Sequence, residues 1–317
     1  MSKVKSFSFE DGEIRGDLFY IKHNVDCFTI IDCYLKDNDD RKDAIINEIV
    51  SESKLKSVQR FISTHPDDDH IHGIEDLWKK WNTTNFYCVA NNIAPDSNNP
   101  SLSKYIELKD GPNCTFIDKD LERAFLNKKG ISDGGKEIGS SGINFLWPDL
   151  NNNDFKEALT KVQTKPNNIC PVIKYEVKDS ASFLWFGDME TKMQESFYES
   201  QKGKIGHIDI VFAPHHGRKS GSIPAALMEE LSPKIVVIGN APSKDIEYLD
   251  TDLTITQNSS SDILFDVKDG KVVIYTQNNI KDKPKCLKYE LEDALSNIDI
   301  ANNKLKNGLY YLGTLYI

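Results

Sequence analysis

The stretch Phe61–Gly73, which reads FISTHPDDDHIHG, joins a short apolar run to a dense group of imidazoles and carboxylates. The apolar start predicts the end of a β-strand, so the polar residues lie in the loop that follows it. Three adjacent carboxylates at positions 67 to 69 repel one another unless a cation compensates them. Neutral nitrogen ligands are supplied on the same loop by His65, His70 and His72. Mixed imidazole and carboxylate donors suit Zn²⁺, and a carboxylate-rich pair of sites also suits Mn²⁺ or iron.

The alternative interpretation of this loop is a solvated acidic turn that happens to contain histidines. An EF-hand calcium loop does not fit, because the D-x-D-x-D-G frame with a glutamate at its twelfth position is absent. The density of mixed donors favours a metal site over the solvated turn.

Two further segments place ligand-type residues directly after predicted strands. Gly187-Asp188 follows the apolar run 183–186, and Pro214-His215-His216-Gly217 follows the strand predicted at 208–212. A Gly-Asp pair alone is more typical of a turn and a helix cap. Three strand ends that each offer His or Asp are more specific together, because they can converge at one sheet edge and bind two metals.

Composition restricts the class of protein. The chain has 317 residues, 39 Lys and Arg against 49 Asp and Glu, and a formal net charge of -10. This charge disfavours a dedicated nucleic-acid-binding module and favours small or single-stranded substrates. Six cysteines without a C-x-x-C pair, an N-terminus unlike a signal peptide and no long apolar run predict a cytoplasmic protein without a membrane contact.

The order of predicted elements indicates a layered α/β sandwich. A meander of strands at 5–9, 18–21 and 28–31 leads into alternating helices and strands that continue to 275, with an irregular insertion or lid at about 91–142. We therefore predict one domain over residues 1–278 and a C-terminal extension over 279–317. The extension contains a helix near 287–298 and an apolar ending, 308–317, that pairs with a sheet or contacts a protein partner.

The motif set resembles the metallo-β-lactamase superfamily. The matching residues are His65-x-Asp67-x-Asp69-His70, Gly187-Asp188 and His215-His216-Gly217, and the likeness spans about residues 5–276. The branch it resembles most is that of bacterial competence (DNA-uptake channel) proteins and their free-standing relatives. Arg15-Gly16-Asp17 and Ile31-Asp32 are similar to early strand motifs of that branch.

The resemblance implies a four-layer αββα sandwich with a C-terminal extension and a dinuclear metal site that performs hydrolysis. Two divalent ions are implied, Zn²⁺ first and Mn²⁺ as the alternative. Carried over by position, His65 and Asp67 hold the first metal, Asp69, His70 and His215 hold the second, and Asp188 bridges them. Attack comes from a hydroxide held by the metals and oriented by Asp69, and His216 is assigned a catalytic role beside it.

Several positions depart from the family pattern. Asp67 stands where most members have a second histidine, and no histidine occurs between His72 and His207. The segment 167–170 (NNIC) stands where the competence branch has its own Asn-x-Ser, which agrees with that branch rather than with the β-lactamases. A late G-H-P motif is also absent. A leaving-group acid or phosphate contact is then either lost or supplied by another residue, for which the candidates are Arg218, Lys219 and Lys244. A solvated surface cation is the alternative for each.

Three functions remain open at this point. The first is a metal-dependent phosphodiesterase acting on nucleic acid or nucleotides, and the second is an ester, thioester or lactone hydrolase on the same site. The third is a non-catalytic scaffold or regulatory subunit of a bacterial antiviral defence complex, which the C-terminal extension motivates.

Overall fold

The structure is a computed structural model that describes residues 1–9, 16–37, 40–81, 83, 85–132, 134–242, 244–247, 254–280 and 308–317. The helix expected at 287–298 lies outside these residues. The described strands, in chain order, are β1 (Ser2–Ser6), β2 (Phe19–Lys22), β3 (Cys27–Ile31), β4 (Val58–Ile62), β5 (Phe86–Cys88), β6 (Cys114–Phe116), β7 (Gly130–Ile131), β8 (Glu137–Ile138), β9 (Ile143–Trp147), β10 (Val172–Val177), β11 (Ala181–Trp185), β12 (Ile210–Phe212), β13 (Ile235–Ile238), β14 (Thr254–Thr256), β15 (Ile263–Lys268), β16 (Lys271–Thr276) and β17 (Tyr310–Tyr316).

The described helices alternate with these strands. They are α1 (Lys42–Ser53), α2 (Asp68–Ile71), α3 (Ile74–Lys80), α4 (Pro100–Lys109), α5 (Asn153–Thr160), α6 (Thr191–Gln201), α7 (Ala225–Leu231) and α8 (Gln257–Ser260), with 3₁₀ turns at Pro166–Ile169, Pro214–Gly217 and Lys219–Gly221. None of the described helices has the length and apolar character that crossing a membrane requires.

Most strands belong to two sheets. The first has the order β17-β16-β15-β1-β2-β3-β4-β5-β6, and the second has the order β14-β13-β12-β11-β10-β9; β7 and β8 form a separate ribbon. In the first sheet β3 to β6 run parallel, and in the second β11 to β14 run parallel. The carboxyl ends of parallel neighbours meet at one edge of a sheet, which is where the motif loops begin.

Aromatic side chains fill the space between the two sheets. The ring of Phe19 on β2 lies 5.0 Å from Phe212 on β12, and Trp185 on β11 stacks on Phe212 at 4.7 Å. Each such buried side chain contributes roughly 1.5–3 kcal/mol through removal of apolar surface from water. Helices α1, α3 and α4 pack on the outer face of the first sheet, and α5, α6 and α7 pack on that of the second. The described chain therefore confirms the predicted four-layer αββα sandwich.

Element positions follow the predicted periodicity closely, with one shifted strand at the start. The first strand was expected over residues 5–9, and β1 is Ser2–Ser6 instead. The backbone N–H groups of Ser8 and Phe9 donate to the side chains of Asp262 and Asn240, at 3.0 Å each, and not to a neighbouring strand. Side-chain acceptors on distant loops thus end the strand, and local alternation carries no sign of them.

Two regions are more regular than the sequence indicated. Within 91–142, α4 packs on the first sheet and β6 pairs parallel with β5, because Leu102, Tyr105 and Ile106 present an apolar helix face between the Pro and Asn punctuation. At the C-terminus, β17 pairs antiparallel with β16 and forms the edge of the first sheet. A contact between this segment and a protein partner stays a prediction.

Candidate metal centre

A carboxylate at the end of β3 organises the two histidines of the motif loop. Asp32 accepts hydrogen bonds from the Thr64 backbone N–H (2.7 Å), the Thr64 hydroxyl (2.6 Å) and His70 Nδ1 (2.8 Å). Because the one Thr64 hydroxyl proton goes to Asp32, the hydroxyl oxygen accepts from His65 Nδ1 at 3.1 Å. In their neutral forms His65 and His70 therefore both carry the free lone pair on Nε2.

Four ligand-type residues converge beside this network. One donor atom each from Asp17, His70, Asp188 and His216 lies within 4.8 Å of the others. His70 Nε2 is 3.1 Å from Asp188 Oδ1, His216 Nε2 is 3.5 Å from the same oxygen, and His216 Nδ1 is 3.3 Å from Asp17. We call these four residues the metal cluster. Asp188 comes from the loop after β11, and His216 from the loop after β12.

Three members of the metal cluster, His70, Asp188 and His216, and the neighbouring His65 have buried atoms that lack hydrogen-bond partners among the described residues. Within the described chain, no hydrogen-bond partner meets His65 Nε2, His70 Nε2, Asp188 Oδ1 or either ring nitrogen of His216. A buried polar atom left in this way costs about 1–3 kcal/mol. Several such atoms facing one another match a metal ion, since neutral imidazole nitrogens and carboxylate oxygens are zinc ligands.

Electrostatics in the cluster favour a positive charge at its centre. Burial opposes ionisation of His216, yet Asp188 and Asp17 raise its pKa to about 10. Burial is likewise outweighed at His70, where Asp188 and Asp69 hold the pKa well above its ordinary value. The carboxylates thus favour the protonated form of the imidazoles. A divalent ion is the alternative source of positive charge.

The turn after β12 directs two consecutive imidazoles in different directions. His215 has φ 51° and ψ 47°, and His216 has φ 55° and ψ 19°, so both lie in the left-handed region. Such a conformation costs non-glycine residues of the order of 1–3 kcal/mol each and is found mostly at functional sites. His215 N donates to Gly187 O at 3.0 Å, which ties this turn to the loop that carries Asp188.

His215 is placed differently from His216. Its Nε2 lies 3.5 Å from Asp188 Oδ2 but accepts a hydrogen bond from Arg218 Nη1 at 3.2 Å, and its Nδ1 pairs with the Ser220 hydroxyl at 2.8 Å. Both ring nitrogens therefore have partners, and burial lowers the pKa of His215. The structure groups His216 with Asp17, His70 and Asp188, and it leaves His215 at the rim beside Arg218.

The remaining motif residues line the solvent side of the site. Asp69 Oδ2 is 3.6 Å from His216 Nε2, and Asp67 Oδ2 is 3.5 Å from His65 Nε2. Their side chains are 32% and 40% exposed, so a substrate approaching from solvent meets these two carboxylates first. Asp68 pairs instead with His72 at 3.0 Å, away from the cluster.

The other cations named from the sequence separate into one at the site and two at the surface. Arg218 is half-buried against His215, and its Nε is buried without a hydrogen-bond partner among the described residues. Lys219 and Lys244 are exposed.

Two residues of this site, Asp17 and Asp32, are not indicated as site residues by their sequence motifs, which predict only early strands. Asp17 lies directly before β2 and Asp32 directly after β3, which are antiparallel neighbours that bring both carboxylates to one sheet edge. The sequence signal that could have identified them is their position at the ends of two strands predicted to be neighbours in an antiparallel meander.

Comparisons with known proteins give similarities of fold. The sequence matches no family profile and no curated protein. The structure is similar to the metallo-beta-lactamase fold protein YhfI from Bacillus subtilis, with a TM-score of 0.39 and 12% identity over 75% of this chain and 85% of that one. It is similar to CmlA, a diiron beta-hydroxylase from Streptomyces venezuelae, with a TM-score of 0.42 and 11% identity over 78% and 48% of the two chains. It is also similar to a long form RNase Z from yeast, with a TM-score of 0.39 and 7% identity over 80% and 40%.

Proposed function

We propose that this protein is a metal-dependent hydrolase of the metallo-β-lactamase superfamily, related to the branch of competence proteins, and that it cleaves phosphodiesters of nucleic acid or nucleotides. The observation that carries the proposal is the set of buried, unpartnered donor atoms on His65, His70, Asp188 and His216. Their arrangement at the ends of parallel strands leaves one side open to solvent through Asp67 and Asp69.

Two groups of residues would hold the metals. His70, Asp188 and His216 would hold one ion with Asp17 and Asp69 at its sides, and His65 and Asp67 would hold the other. Divalent ions bound there supply a Lewis acid and make water a stronger nucleophile at neutral pH. Zn²⁺ suits the imidazole content, and Mn²⁺ suits the carboxylates.

The protein's own residues position these donors. Asp32 and Thr64 fix the tautomers of His70 and His65, so both present Nε2 to the site. Asp69, partly exposed at the entrance, is placed to accept a proton from an attacking water and to orient it. The strained turn at 215–216 holds His216 in the cluster without a flexible linker.

Arg218 favours a phosphodiester over a carboxylic ester as substrate. The site is rich in carboxylates, which repel an anionic substrate unless a cation accompanies them. Arg218 supplies that cation next to His215, and a guanidinium matches phosphate oxygens in geometry and charge.

A substrate panel tests the proposal. The full chain, loaded with Zn²⁺ or Mn²⁺, is assayed on bis(p-nitrophenyl) phosphate, single-stranded DNA, RNA and cyclic nucleotides, beside p-nitrophenyl esters, a thioester and a lactone. We expect phosphodiester turnover that is lost in Asp188→Asn and retained in Asp209→Asn. Asp209 is the matched control, because it is a buried aspartate that accepts hydrogen bonds from Ser182 outside the site.

Each alternative predicts a different result in the same panel. Faster turnover of the esters, thioester or lactone would replace the phosphodiesterase with the second hydrolase class. Metal binding without turnover of any substrate would favour the scaffold or regulatory subunit.

A further inference from the structure

We propose that Cys170 is a metal ligand of this site and completes, with His65 and Asp67, the half of the centre that the metal cluster does not fill. The inference rests on the proposed function in that it assumes a metal beside His65. It adds a sulfur donor to a site otherwise built from nitrogen and oxygen.

Cys170 is held rigidly next to the motif loops. It follows the 3₁₀ turn Pro166–Ile169, donates its backbone N–H to Asn167 O at 3.2 Å and is 0% exposed. A Cβ built on Gly187, the residue before Asp188, would lie 2.8 Å from Cys170 Sγ and 2.9 Å from Thr64 Cβ. The sulfur therefore lies against both the Asp188 loop and the threonine that orients His65.

The thiol also lies beside the residue that precedes His65, because the Cβ position of Gly187 is 2.8 Å from Cys170 Sγ and 2.9 Å from Thr64 Cβ. His65 Nε2 itself is buried and lacks a hydrogen-bond partner in the described chain, and Asp67 Oδ2 lies 3.5 Å from it. Nitrogen, oxygen and sulfur donors thus meet at one place.

The number of donors explains why a thiolate is needed. Zinc in catalytic sites takes three protein ligands and leaves one position open. His65 and Asp67 supply two of these ligands. Cys170 supplies the third, in place of a further histidine. The thiol loses its proton to solvent on binding, as zinc-bound cysteines do.

The remaining described cysteines have other surroundings. Cys27 lies near Arg60, Cys33 points to the carbonyl of His72, and Cys88 and Cys114 lie 3.7 Å apart at the far edge of the first sheet. Among the described cysteines, Cys170 is therefore the one whose sulfur lies beside Thr64 and Gly187, which adjoin His65 and Asp188. A soft thiolate favours Zn²⁺ over Mn²⁺ at this position, which selects between the two ions named above.

Cobalt substitution tests the assignment without an activity assay. The full chain is loaded with Co²⁺, and its near-ultraviolet absorption and cobalt content are measured. We expect a thiolate-to-cobalt charge-transfer band and about two cobalt ions per chain in the wild type and in Cys88→Ala, a buried thiol outside the site. In Cys170→Ala and Cys170→Ser we expect no band and about one cobalt ion per chain. In the zinc form, X-ray absorption should show one sulfur at about 2.3 Å.

The outcomes separate this inference from the proposed function. Two bound cobalt ions without a charge-transfer band in the wild type would overturn the role of Cys170 and leave the hydrolase intact. A band that survives in Cys170→Ser would do the same. No cobalt in the folded wild type would overturn both. The absence of this band from the wild-type spectrum would overturn the inference even if the Cys170 variants did not fold.

Discussion

Two buried polar clusters of the described chain differ in whether the ring nitrogens of their histidines have hydrogen-bond partners. The metal cluster gathers carboxylates and imidazoles, and within the described chain His70 Nε2, Asp188 Oδ1 and both ring nitrogens of His216 lack hydrogen-bond partners. The second, which we call the His23 cluster, comprises His23, Thr29, Arg60 and Ser141. Asp17 of the metal cluster precedes β2 and His23 follows it, so the two lie at opposite ends of one strand.

In the His23 cluster both ring nitrogens of the histidine have hydrogen-bond partners, and Arg60 Nε is the member atom that is buried without one. His23 Nδ1 pairs with Ser141 O at 2.9 Å and Nε2 with the Thr29 hydroxyl at 2.8 Å, while Arg60 donates to Ser141 Oγ at 2.8 Å and to Phe125 O at 2.6 Å. Burial and the Arg60 charge lower the pKa of His23, whereas carboxylates raise that of His216. A cluster with a satisfied histidine stabilises the fold, and one of opposite charge with unsatisfied histidines is arranged for a ligand.

The largest effect that we expect from this comparison is at the metal cluster. Asp188→Asn removes a charged donor and should lower metal affinity by at least about 100-fold, since even outer-shell changes cost 10–100-fold. Isothermal titration with Zn²⁺ measures it. Asp209→Asn, which changes a buried carboxylate outside both clusters, should leave the affinity unchanged, and equal affinity in both variants would contradict the assignment of Asp188 to the metal site.

Metal should also stabilise the folded chain. At a free zinc concentration 100 times Kd, binding adds about 2.7 kcal/mol to the free energy of unfolding. The melting temperature of the wild type should therefore rise by several degrees with zinc and fall after chelation. Asp188→Asn should show a much smaller shift at the same concentration, and an equal shift would place the stabilising metal elsewhere.

Asp32 sharpens the comparison, because it positions a ligand without being one of the four. Asp32→Asn presents an amide N–H to His70 and disturbs the tautomer that leaves Nε2 free, so we expect a 10–100-fold loss of metal affinity. Thr64→Val should weaken binding through His65 in the same direction, while Thr64→Ser keeps the hydroxyl and should restore it. Unchanged affinity in Thr64→Val would refute the role of the Thr64 hydroxyl in orienting His65.

The smallest effect is expected at the His23 cluster. The folded-state pKa of His23 lies below the unfolded value of about 6.5, so its contribution to stability is fully present above pH 6.5 and is lost as the pH falls. As the pH falls below 6.5, the slope of this loss rises toward the one-proton limit of about 1.4 kcal/mol per pH unit. The free energy of unfolding in urea, measured against pH on metal-free protein, should fall more steeply for the wild type than for His23→Gln by that slope. Parallel pH profiles of the two proteins would show that His23 is protonated in the fold.

The sequence predicted most of the fold because local patterns carry it. Strands such as β9 and β10 coincide with their apolar runs, and the motif loops follow strands as expected. The first strand shifted because side chains 230 or more residues away, Asn240 and Asp262, bind its expected second half.

The site was predicted less completely, since its assembly depends on contacts between distant segments. Residue type and spacing singled out His65, His70 and Asp188 as candidates, but Asp17 reaches His216 across 199 positions of the chain. Which of His215 and His216 enters the cluster depends on a left-handed turn that no periodicity encodes.

The central claim is that the buried donors form a metal centre, and metal content tests it most directly. Protein purified without chelator or nickel affinity is analysed for bound metals beside Asp69→Ala/His70→Ala. The account predicts about two transition-metal ions per chain, and the loss of at least the ion of the metal cluster in the double variant. A folded wild type that holds no metal, even after reconstitution with zinc or manganese, would contradict it.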